Sequence, residues 1–383
     1  MRRFQMFVFF LIALTVYSLV NIYLFYRVYS ANPGLQNYRL IYTLTCFLAS
    51  IIFIVAKILE SRHSSVITDI LNIVGGFWFA VMLYGFLFFL LSDIVFLILK
   101  LPGIISGDNI IHYRKWSFIV IAAVSSLLII GGFINALIPS VKEYNIIINK
   151  PAGGIKTLRV AAVSDIHIGS IIRKRSLKKL SSIIKELKPD LILLLGDIVD
   201  GEIGPVLRGD LLRYFTWPAS TDGLYAITGN HEYIGGADKT IPYIESKGIR
   251  ILKDEIVTLK GGIQLIGRID RDSFRFYRKE RRALAELMKL ADTTKPVILL
   301  DHQPFHLDEA AQYGVDLELS GHTHNGQMWP LNYVTSMIYK LSYGYLKINN
   351  THFIVSSGYG LWGPRVRSGS RSEVLLINLT FEP

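Results

Sequence analysis

The stretch that decides the fold runs from residue 189 to residue 200 and reads PDLILLLGDIVD. Its apolar run is bounded by Pro189 and Gly196 and is too short for a helix, so it predicts a strand that is buried on both faces. Such a strand places Asp197 at the carboxyl end of a sheet, where open α/β folds keep their sites. The sequence therefore predicts an α/β domain with Asp197 at its functional edge.

Four other apolar, strand-like runs also end in side chains that can bind metals. The runs are residues 158–164, 224–228, 296–301 and 315–320, and the side chains that follow them are Asp165, His167, Asn230, His231, His302, His322 and His324. Five unrelated strands are not expected to end in this way by chance. The candidate ligands supply only oxygen and nitrogen, which suits manganese, iron or zinc.

The composition of the 383-residue chain indicates membrane segments, because 51% of its residues are hydrophobic and the mean hydropathy is +0.38. Four apolar segments, at about 4–26, 38–59, 69–99 and 116–138, are each long enough to cross a hydrocarbon core that needs roughly 20 helical residues. We therefore expect a transmembrane anchor over residues 1–140 and an α/β domain over residues 141–383. Secondary elements expected in that domain include an outer strand at 141–149 and amphipathic helices at 173–187 and 275–290.

The membrane topology is only partly determined by the sequence. A cleavable signal peptide is the alternative for the first segment, but that segment exceeds a signal core of about 7–15 residues and three more segments follow. We expect a multi-pass protein of the plasma (inner) membrane, with its α/β domain on the same side as the N-terminus. Lysine and arginine counts on the two sides are equal, so the side stays open. Asp93, inside the third segment, is either functional or close to the membrane interface, and we favour the interface.

The net charge and the cysteine content limit which partners we expect. The net charge of +11 suits anionic lipid or nucleic acid, or reflects a juxtamembrane excess of basic residues. We expect a lipid bilayer and a phosphorylated lipid or envelope substrate as partners, and no specific nucleic acid. Cys46 is the single cysteine, which excludes an intramolecular disulfide and a cysteine-based zinc knuckle. The oligomeric state stays open.

Seven of the side chains that follow the strands are candidate metal ligands: Asp165, His167, Asp197, Asn230, His302, His322 and His324. They are too many for one tetrahedral zinc ion, but they fit two adjacent metals that share one carboxylate. The motifs, in chain order, are Asp165-x-His167, Gly196-Asp197-x-x-Asp200, Gly229-Asn230-His231-Glu232, His302 and Gly321-His322-x-His324. In this ordered set the chain resembles the calcineurin-like metallophosphoesterase superfamily over residues 155–380. Within it the chain resembles the membrane-anchored branch similar to the YkuE and YaeI phosphoesterases, through the Asp-Ile-His-Ile-Gly form of the first motif, the Gly-His-Thr-His-x-Gly-Gln form of the last and the glycine-rich turn at residues 357–364. The resemblance implies a four-layer α/β/β/α sandwich of two packed mixed sheets flanked by helices, here preceded by a four-helix transmembrane region.

The resemblance also implies a role for each residue. One metal would be held by Asp165, His167, Asp197 and His324, and the other by Asp197, Asn230, His302 and His322. We expect two divalent ions, manganese first and iron or zinc as alternatives, with a hydroxide between them as the nucleophile. His231 would protonate the leaving oxygen or stabilise the phosphoryl charge, and Asp200 would orient His231 or a backbone amide.

The function that this resemblance implies is a membrane-anchored phosphodiesterase or pyrophosphatase that acts on a lipid-linked or cell-envelope phosphate. The alternatives are a UDP-2,3-diacylglucosamine pyrophosphatase of lipid A synthesis, a general phosphoesterase whose anchor only sets location, and a non-catalytic membrane sensor or transporter. Gly201 follows Asp200 where phosphomonoesterase branches often carry arginine, which weakens the case for a protein phosphatase. The apolar segment 329–345 is either a lip for acyl chains or packs against the sheet, and we favour packing.

Overall fold

The computed structural model describes residues 2–218 and 223–382, and it begins with four long helices. All four are long and apolar enough to cross a membrane, by length and composition. Their bounds are α1 Arg2–Ala31, α2 Arg39–Arg62, α3 Val66–Lys100 and α4 Asn109–Ala136. The expected four-helix region is confirmed, although α4 begins seven residues before the predicted segment 116–138.

Twelve strands follow in the described residues. They are β1 Ser140–Ile148, β2 Thr157–Val163, β3 Leu191–Leu194, β4 Gly223–Ala226, β5 Arg250–Ile251, β6 Glu255–Thr258, β7 Gln264–Gly267, β8 Val297–Leu300, β9 Leu317–Ser320, β10 Gly344–Ile348, β11 Thr351–Val355 and β12 Glu373–Phe381. The helices between them are α5 Lys174–Leu187, α6 Gly204–Gly209, α7 Asn230–Ile234, α8 Ala237–Ser246, α9 Asp272–Tyr277, α10 Leu284–Met288, α11 Leu307–Gln312 and α12 Leu331–Ile338.

The strands form two mixed six-stranded sheets, in the orders β1-β12-β2-β3-β4-β5 and β10-β11-β9-β8-β7-β6. The strands β2, β3, β4 and β5 run parallel to one another, and so do β7, β8, β9 and β11. Side chains from the facing surfaces of both sheets, such as Leu193 and Leu300, fill one buried core between them. Two parallel sets of strands thus end at the same edge of the sandwich, where the predicted ligands follow them.

Helices cover the outer faces of both sheets and complete the four layers. On the first sheet, α5 buries Leu177, Leu180 and Ile184 completely, and each such side chain contributes about 1.5–3 kcal/mol relative to an exposed one. This helix ends with Lys188 in a left-handed conformation, directly before Pro189. On the second sheet, α10 and α11 pack on residues of β7, β8 and β11. The predicted four-layer α/β/β/α sandwich is confirmed.

One predicted helix is wrong. Residues 275–290 form not a single helix but the end of α9 and the short α10, because Arg278 turns the chain with a left-handed φ of 56°. The residues between them find partners in other loops: Arg281 pairs with Asp301, and the N–H of Arg282 donates to the Asp254 carboxylate at 2.9 Å. These tertiary contacts replace the helical hydrogen bonds that the periodicity predicted.

A buried polar network joins the α2–α3 hairpin to the α/β domain. The Ser170 hydroxyl donates to Glu60 at 2.7 Å and to Asp69 at 3.0 Å. Asp69 also pairs with Arg173 and Arg208. Both acids are about 5% exposed, and a buried carboxylate is tolerated when it is paired and hydrogen-bonded. The helical bundle is therefore docked on the domain, next to the loop that follows His167.

The loop after β11 forms a second contact with the bundle. The Asn135 side-chain amide of α4 donates to the carbonyl oxygens of Arg367 and Ser370 at 2.7 and 2.8 Å, and the N–H of Arg367 donates to Gly132 at 2.9 Å. At the other end of the bundle, Asp93 pairs with Arg27 at 2.7 Å. The acid in the third segment thus has a cationic partner from α1.

The expectation that segment 329–345 packs against the sheet is wrong for its helix. None of the eight residues of α12 is buried. Met328, just before the helix, is 7% exposed and packs with Ala80 of α3. The segment is therefore fixed to the bundle at its start and leaves an apolar helix face uncovered.

Candidate metal centre

The predicted ligands lie in the loops that follow β2, β3, β4, β8 and β9. Five of them have left-handed backbones, with φ of 52° at Asp165, 50° at His167, 51° at Asp197, 70° at His322 and 48° at His324. Each such residue costs of order 1–3 kcal/mol, and strain of this kind persists where the surrounding structure enforces it, commonly at functional sites. The strand ends are bent in a way that brings these side chains together.

One donor group consists of Asp165, His167 and His324, all buried. The Nε2 atoms of His167 and His324 lie 3.1 Å apart, and an oxygen of Asp165 lies 3.4 Å from Nε2 of His324. The N–H of His322 donates to the Asp165 carboxylate at 3.0 Å, which fixes the carboxylate. Three donor atoms thus converge on one point.

A second donor group consists of Asp197, His302 and His322. Nε2 of His302 lies 3.2 Å from Oδ2 of Asp197, and Nδ1 of His322 lies 2.9 Å from Oδ1 of Asn230. Nδ1 of His302 donates to the Leu195 carbonyl oxygen at 2.7 Å, which in the neutral ring leaves the Nε2 lone pair facing the site. That Nε2 atom is buried and has no hydrogen-bond partner among the described residues.

The two groups meet at one carboxylate oxygen. Oδ2 of Asp197 lies 3.2 Å from His302 and 3.7 Å from Nε2 of His167. The other oxygen, Oδ1, accepts the N–H of His231 at 2.8 Å. The side chain is thus held by one oxygen and presents the other to both donor groups.

These residues fit divalent cations. Two donors about 2.1 Å from one ion and at right angles lie about 3 Å apart, and the closest donor pairs in each group lie 2.9–3.2 Å apart. Imidazole and carboxylate ligands match the borderline metals expected from the sequence. The orphaned Nε2 of His302 would also gain the partner that the protein does not supply.

His231 and Asp200 lie beside the first donor group. Oδ1 of Asp200 lies 3.2 Å from Nδ1 of His167 and 3.4 Å from Nδ1 of His231. Burial opposes ionisation of Asp200, but the hydrogen bond and charge of His167, followed by the charges of His231 and Lys57, lower its pKa to about 2. Asp200 is therefore hydrogen-bonded to the ligand His167 and lies close to the expected His231 without a hydrogen bond to it. The positive charge of Lys57, on α2, also acts on Asp200.

The protonation states suit metal binding, which requires ionised carboxylates and neutral imidazoles. Burial opposes the charge of Asp197, yet the imidazoles of His302 and His231 hold the pKa of this carboxyl well below its ordinary value. Burial lowers the pKa of His322 to about 4 and that of His324 well below its ordinary value. His302 and His167 differ. Burial would lower the pKa of each imidazole, but Asp197 raises that of His302 well above the ordinary value, and the hydrogen bond of Asp200 with the charge of Asp197 raises that of His167. A cation would replace those protons.

Glu232 has a positioning role that the sequence did not reveal. It is fully buried, and its carboxylate accepts three backbone N–H groups, from Gly229 at 2.7 Å, Val199 at 3.0 Å and Asp197 at 3.1 Å. The loop with Asp197 and the loop with Asn230 are therefore tied together by one side chain. Its place in the Gly-Asn-His-Glu motif was the signal that pointed to it.

Arg367 was missed altogether, because no motif surrounds it. Its guanidinium is fully buried, donates to the carbonyl oxygens of Ser357, Gly358 and Gly360 at 2.9, 3.2 and 2.7 Å, and lies 3.2 Å from Nδ1 of His324. Since its own backbone is bonded to α4, this residue links the bundle to a ligand. Only the tertiary structure brings them together.

Comparisons with known proteins agree with this fold and donor set. The family model of calcineurin-like phosphoesterases matches residues 158–326. An uncharacterized metallophosphoesterase of Aquifex aeolicus is 31% identical over 242 residues, which are 62% of this chain and 91% of that protein. One of Helicobacter pylori is 32% identical over 251 residues, covering 63% of this chain and 64% of that protein. A transmembrane protein with metallophosphoesterase domain from Danio rerio is 28% identical over 277 residues, which are 67% of this chain and 61% of that protein.

The chain therefore belongs to the calcineurin-like metallophosphoesterase family. Its match spans slightly less than two thirds of the length of the Helicobacter relative. The four apolar helices and the transmembrane relative indicate a membrane protein, and the clustered aspartate and histidine side chains indicate binding of divalent metal.

Proposed function

We propose that this protein is a membrane-anchored phosphoesterase that uses two divalent metal ions to hydrolyse phosphodiester or pyrophosphate bonds in a lipid-linked or cell-envelope substrate. The observation that carries the proposal is the single oxygen of Asp197 that faces both donor groups, at 3.2 Å from His302 and 3.7 Å from His167. A shared carboxylate is the feature that distinguishes a two-metal site from two separate ones.

The side chains divide the chemistry among them. Asp165, His167 and His324 would hold one divalent cation, and Asn230, His302 and His322 would hold the other, with Asp197 shared. When bound, the two cations would supply Lewis acidity at the phosphoryl oxygens and lower the pKa of a water molecule for in-line attack. These nitrogen and oxygen donors suit manganese, iron or zinc, and of these we propose manganese first.

His231 is the acid in this proposal. Its ring packs edge-on against the ring of His167, with centroids 4.6 Å apart, and its backbone N–H is fixed by Asp197. The buried Nδ1 atom has no hydrogen bond among the described residues and faces Asp200 at 3.4 Å. Asp200 orients the ring, and His231 delivers a proton to the leaving oxygen.

Two features support a role of the membrane beyond location. The buried contacts of Glu60 and Asp69 with Ser170 place the α2–α3 hairpin beside the loop that follows His167. The charge of Lys57, on α2, acts on Asp200. We place the protein in the plasma (inner) membrane, with the catalytic domain on the same side as the N-terminus.

The test uses the full-length protein in detergent with Mn²⁺ and compares bis-p-nitrophenyl phosphate with p-nitrophenyl phosphate. We expect metal-dependent cleavage of the diester, abolished in Asp197→Ala and reduced at least 100-fold in His231→Ala, the range of general acid catalysis. His112→Ala, at the exposed start of α4, is the matched control and should keep full activity.

Either of two results would contradict the proposal. One is turnover that Asp197→Ala leaves intact. The other is the binding of a single metal ion per chain in calorimetric titration with Mn²⁺, because the shared carboxylate predicts two.

A further inference from the structure

The helix α12 presents an apolar surface that no described residue covers. Its exposed side chains, together with the tryptophan that precedes the helix, are called here the α12 lip, and their exposed fractions are 40% for Trp329, 60% for Tyr333, 44% for Val334, 79% for Met337 and 60% for Ile338. Within residues 328–345, Lys340 is the single charged residue. A contiguous apolar surface of this kind marks contact with protein, ligand or membrane.

The start of the α12 lip is attached to the transmembrane bundle. Met328 lies in one hydrophobic cluster with Ala80 of α3. The N–H of Trp329 donates to the Ser368 hydroxyl at 3.2 Å, and that hydroxyl is hydrogen-bonded to Tyr84 of α3. The depth of Ala80 and Tyr84 in the bilayer therefore sets the depth of the lip.

The length of α3 limits that depth. Its 35 residues extend about 52 Å, against a hydrocarbon core of about 30 Å. Ala80 lies about 30 Å along the helix from Lys100 and about 21 Å from Val66. Asp69, three residues after Val66, pairs with Arg173 and Arg208 of the α/β domain, so the start of α3 lies outside the core. With Lys100 at the far edge of the core, Ala80 is at the near edge and Tyr84 is about 6 Å inside it. This placement puts the start of the lip in contact with lipid.

The far end of the lip reaches the metal centre. The ring of Tyr339, directly after α12, lies 6.3 Å from the ring of the predicted ligand His322. The Thr323 hydroxyl donates to the Ser342 carbonyl oxygen at 2.6 Å, which ties the segment to the loop between His322 and His324. The eight residues of α12 span about 12 Å, so this short helix connects the bundle with the ligand loop.

We propose that the α12 lip is inserted among the acyl chains of the bilayer and is the lateral route by which a lipid substrate reaches the metal centre. The partner is the lipid bilayer itself, since the surface is apolar, uncharged and continuous with the lipid-facing bundle. The insertion follows from the geometry alone, whereas the lateral route rests on the proposed phosphoesterase function.

The depth of the lip is measured in the full-length protein in vesicles of phosphatidylethanolamine and phosphatidylglycerol. In a Cys46→Ala background, nitroxide spin labels are attached at Met337→Cys, at Leu127→Cys on the lipid-facing side of α4, and at Leu290→Cys on the α/β domain. Leu290 is a matched control because it is 68% exposed and apolar but belongs to the helix layer of the second sheet. Accessibility to oxygen and to a water-soluble nickel complex is compared by electron paramagnetic resonance.

We expect the ratio of oxygen to nickel accessibility at Met337 to match that at Leu127 and to exceed that at Leu290 at least fivefold. A ratio at Met337 equal to that at Leu290 would overturn the insertion. Each labelled variant is first required to bind Mn²⁺ with the affinity of the unlabelled protein, which excludes misfolding.

The lateral route is tested with hexadecyl p-nitrophenyl phosphate in the vesicles and with bis-p-nitrophenyl phosphate in water. We expect Met337→Asp to lower kcat/KM for the hexadecyl diester at least tenfold and to leave the soluble diester within twofold, while Leu290→Asp changes neither. Equal loss on both compounds, or no loss on either, would overturn the route. A wild-type protein without metal-dependent turnover of either compound would contradict the phosphoesterase function instead, and the spin-label result would still decide the insertion.

Discussion

Replacing Glu232 by glutamine tests whether one buried carboxylate holds the two ligand loops together. In the wild type, Oε2 accepts the N–H groups of Gly229 and Asp197, and Oε1 accepts that of Val199. Glutamine has one acceptor oxygen, which would stay with the two donors and place its NH₂ group against the N–H of Val199. The variant therefore loses one charge-assisted hydrogen bond and weakens two others.

The expected magnitude follows from these contacts. A hydrogen bond to a charged group is worth about 1.5–3 kcal/mol. Burial and the charge of Asp197 raise the pKa of Glu232 to about 7, so a neutral side chain also relieves some repulsion. We expect the free energy that holds the two loops in the metal-binding arrangement to fall by about 2 kcal/mol, which corresponds to about 30-fold weaker binding of Mn²⁺. Mutation of a residue that hydrogen-bonds a metal ligand typically lowers metal affinity or activity by 10–100-fold.

The assay is calorimetric titration of the full-length protein with Mn²⁺, together with kcat/KM for bis-p-nitrophenyl phosphate. Glu245→Gln is the control, because its ion pair with Lys253 is exposed and such pairs contribute about 1 kcal/mol or less. An affinity for Mn²⁺ in Glu232→Gln within threefold of the wild type would refute the reasoning.

Two further substitutions probe contacts around the centre. Asp69→Asn removes the charge that pairs with Arg173 and Arg208. Because both arginines are partly exposed, we expect the free energy of unfolding to fall by about 1–2 kcal/mol. The measurement is the midpoint of thermal unfolding in detergent, which should be lower than in the wild type. Gly235→Ala places a Cβ 1.8 Å from the carbonyl oxygen of Gly201. We expect the loop beside His231 and Asp200 to move as a result, and kcat to fall at least tenfold.

A matched control for each substitution separates its specific effect from a general loss of stability or activity. Asp308→Asn breaks an exposed ion pair with Lys340 and should leave the midpoint unchanged, whereas an equal fall in both variants would count against the buried network. Gly131→Ala adds a Cβ that meets nothing within 4 Å and should keep full activity. Retained activity in Gly235→Ala would show that the loop tolerates displacement.

The sequence predicted much of the fold because the relevant signals are local. Runs of apolar residues with the length of a strand or of a membrane span are visible without a structure, and each strand carries its ligand in the next few residues. The periodicity of residues 275–290 failed for the opposite reason. Arg281 and Arg282 find partners in distant loops, and those contacts outweigh helix propensity.

In the candidate site, too, the sequence predicted the local features and did not predict the contacts between distant segments. The types and order of the aspartate, asparagine and histidine residues suggested two metals and a shared Asp197, because chemistry is carried by residue identity. The orientation of Asp200 toward His167 as well as His231 was not predictable, since it depends on how two loops cross. The same holds for the contact between Arg367 and His324, which are 43 residues apart.

By itself, the sequence determined the class of fold, the four apolar helices and the set of candidate ligands. Only the tertiary structure decided that the bundle docks beside the metal centre, through a contact between Asp69 and Ser170 across 101 residues of chain, and that α12 is left uncovered next to it. The physical reason is that hydropathy and residue type are properties of single segments. Burial, charge pairing and exposure arise only when distant segments meet.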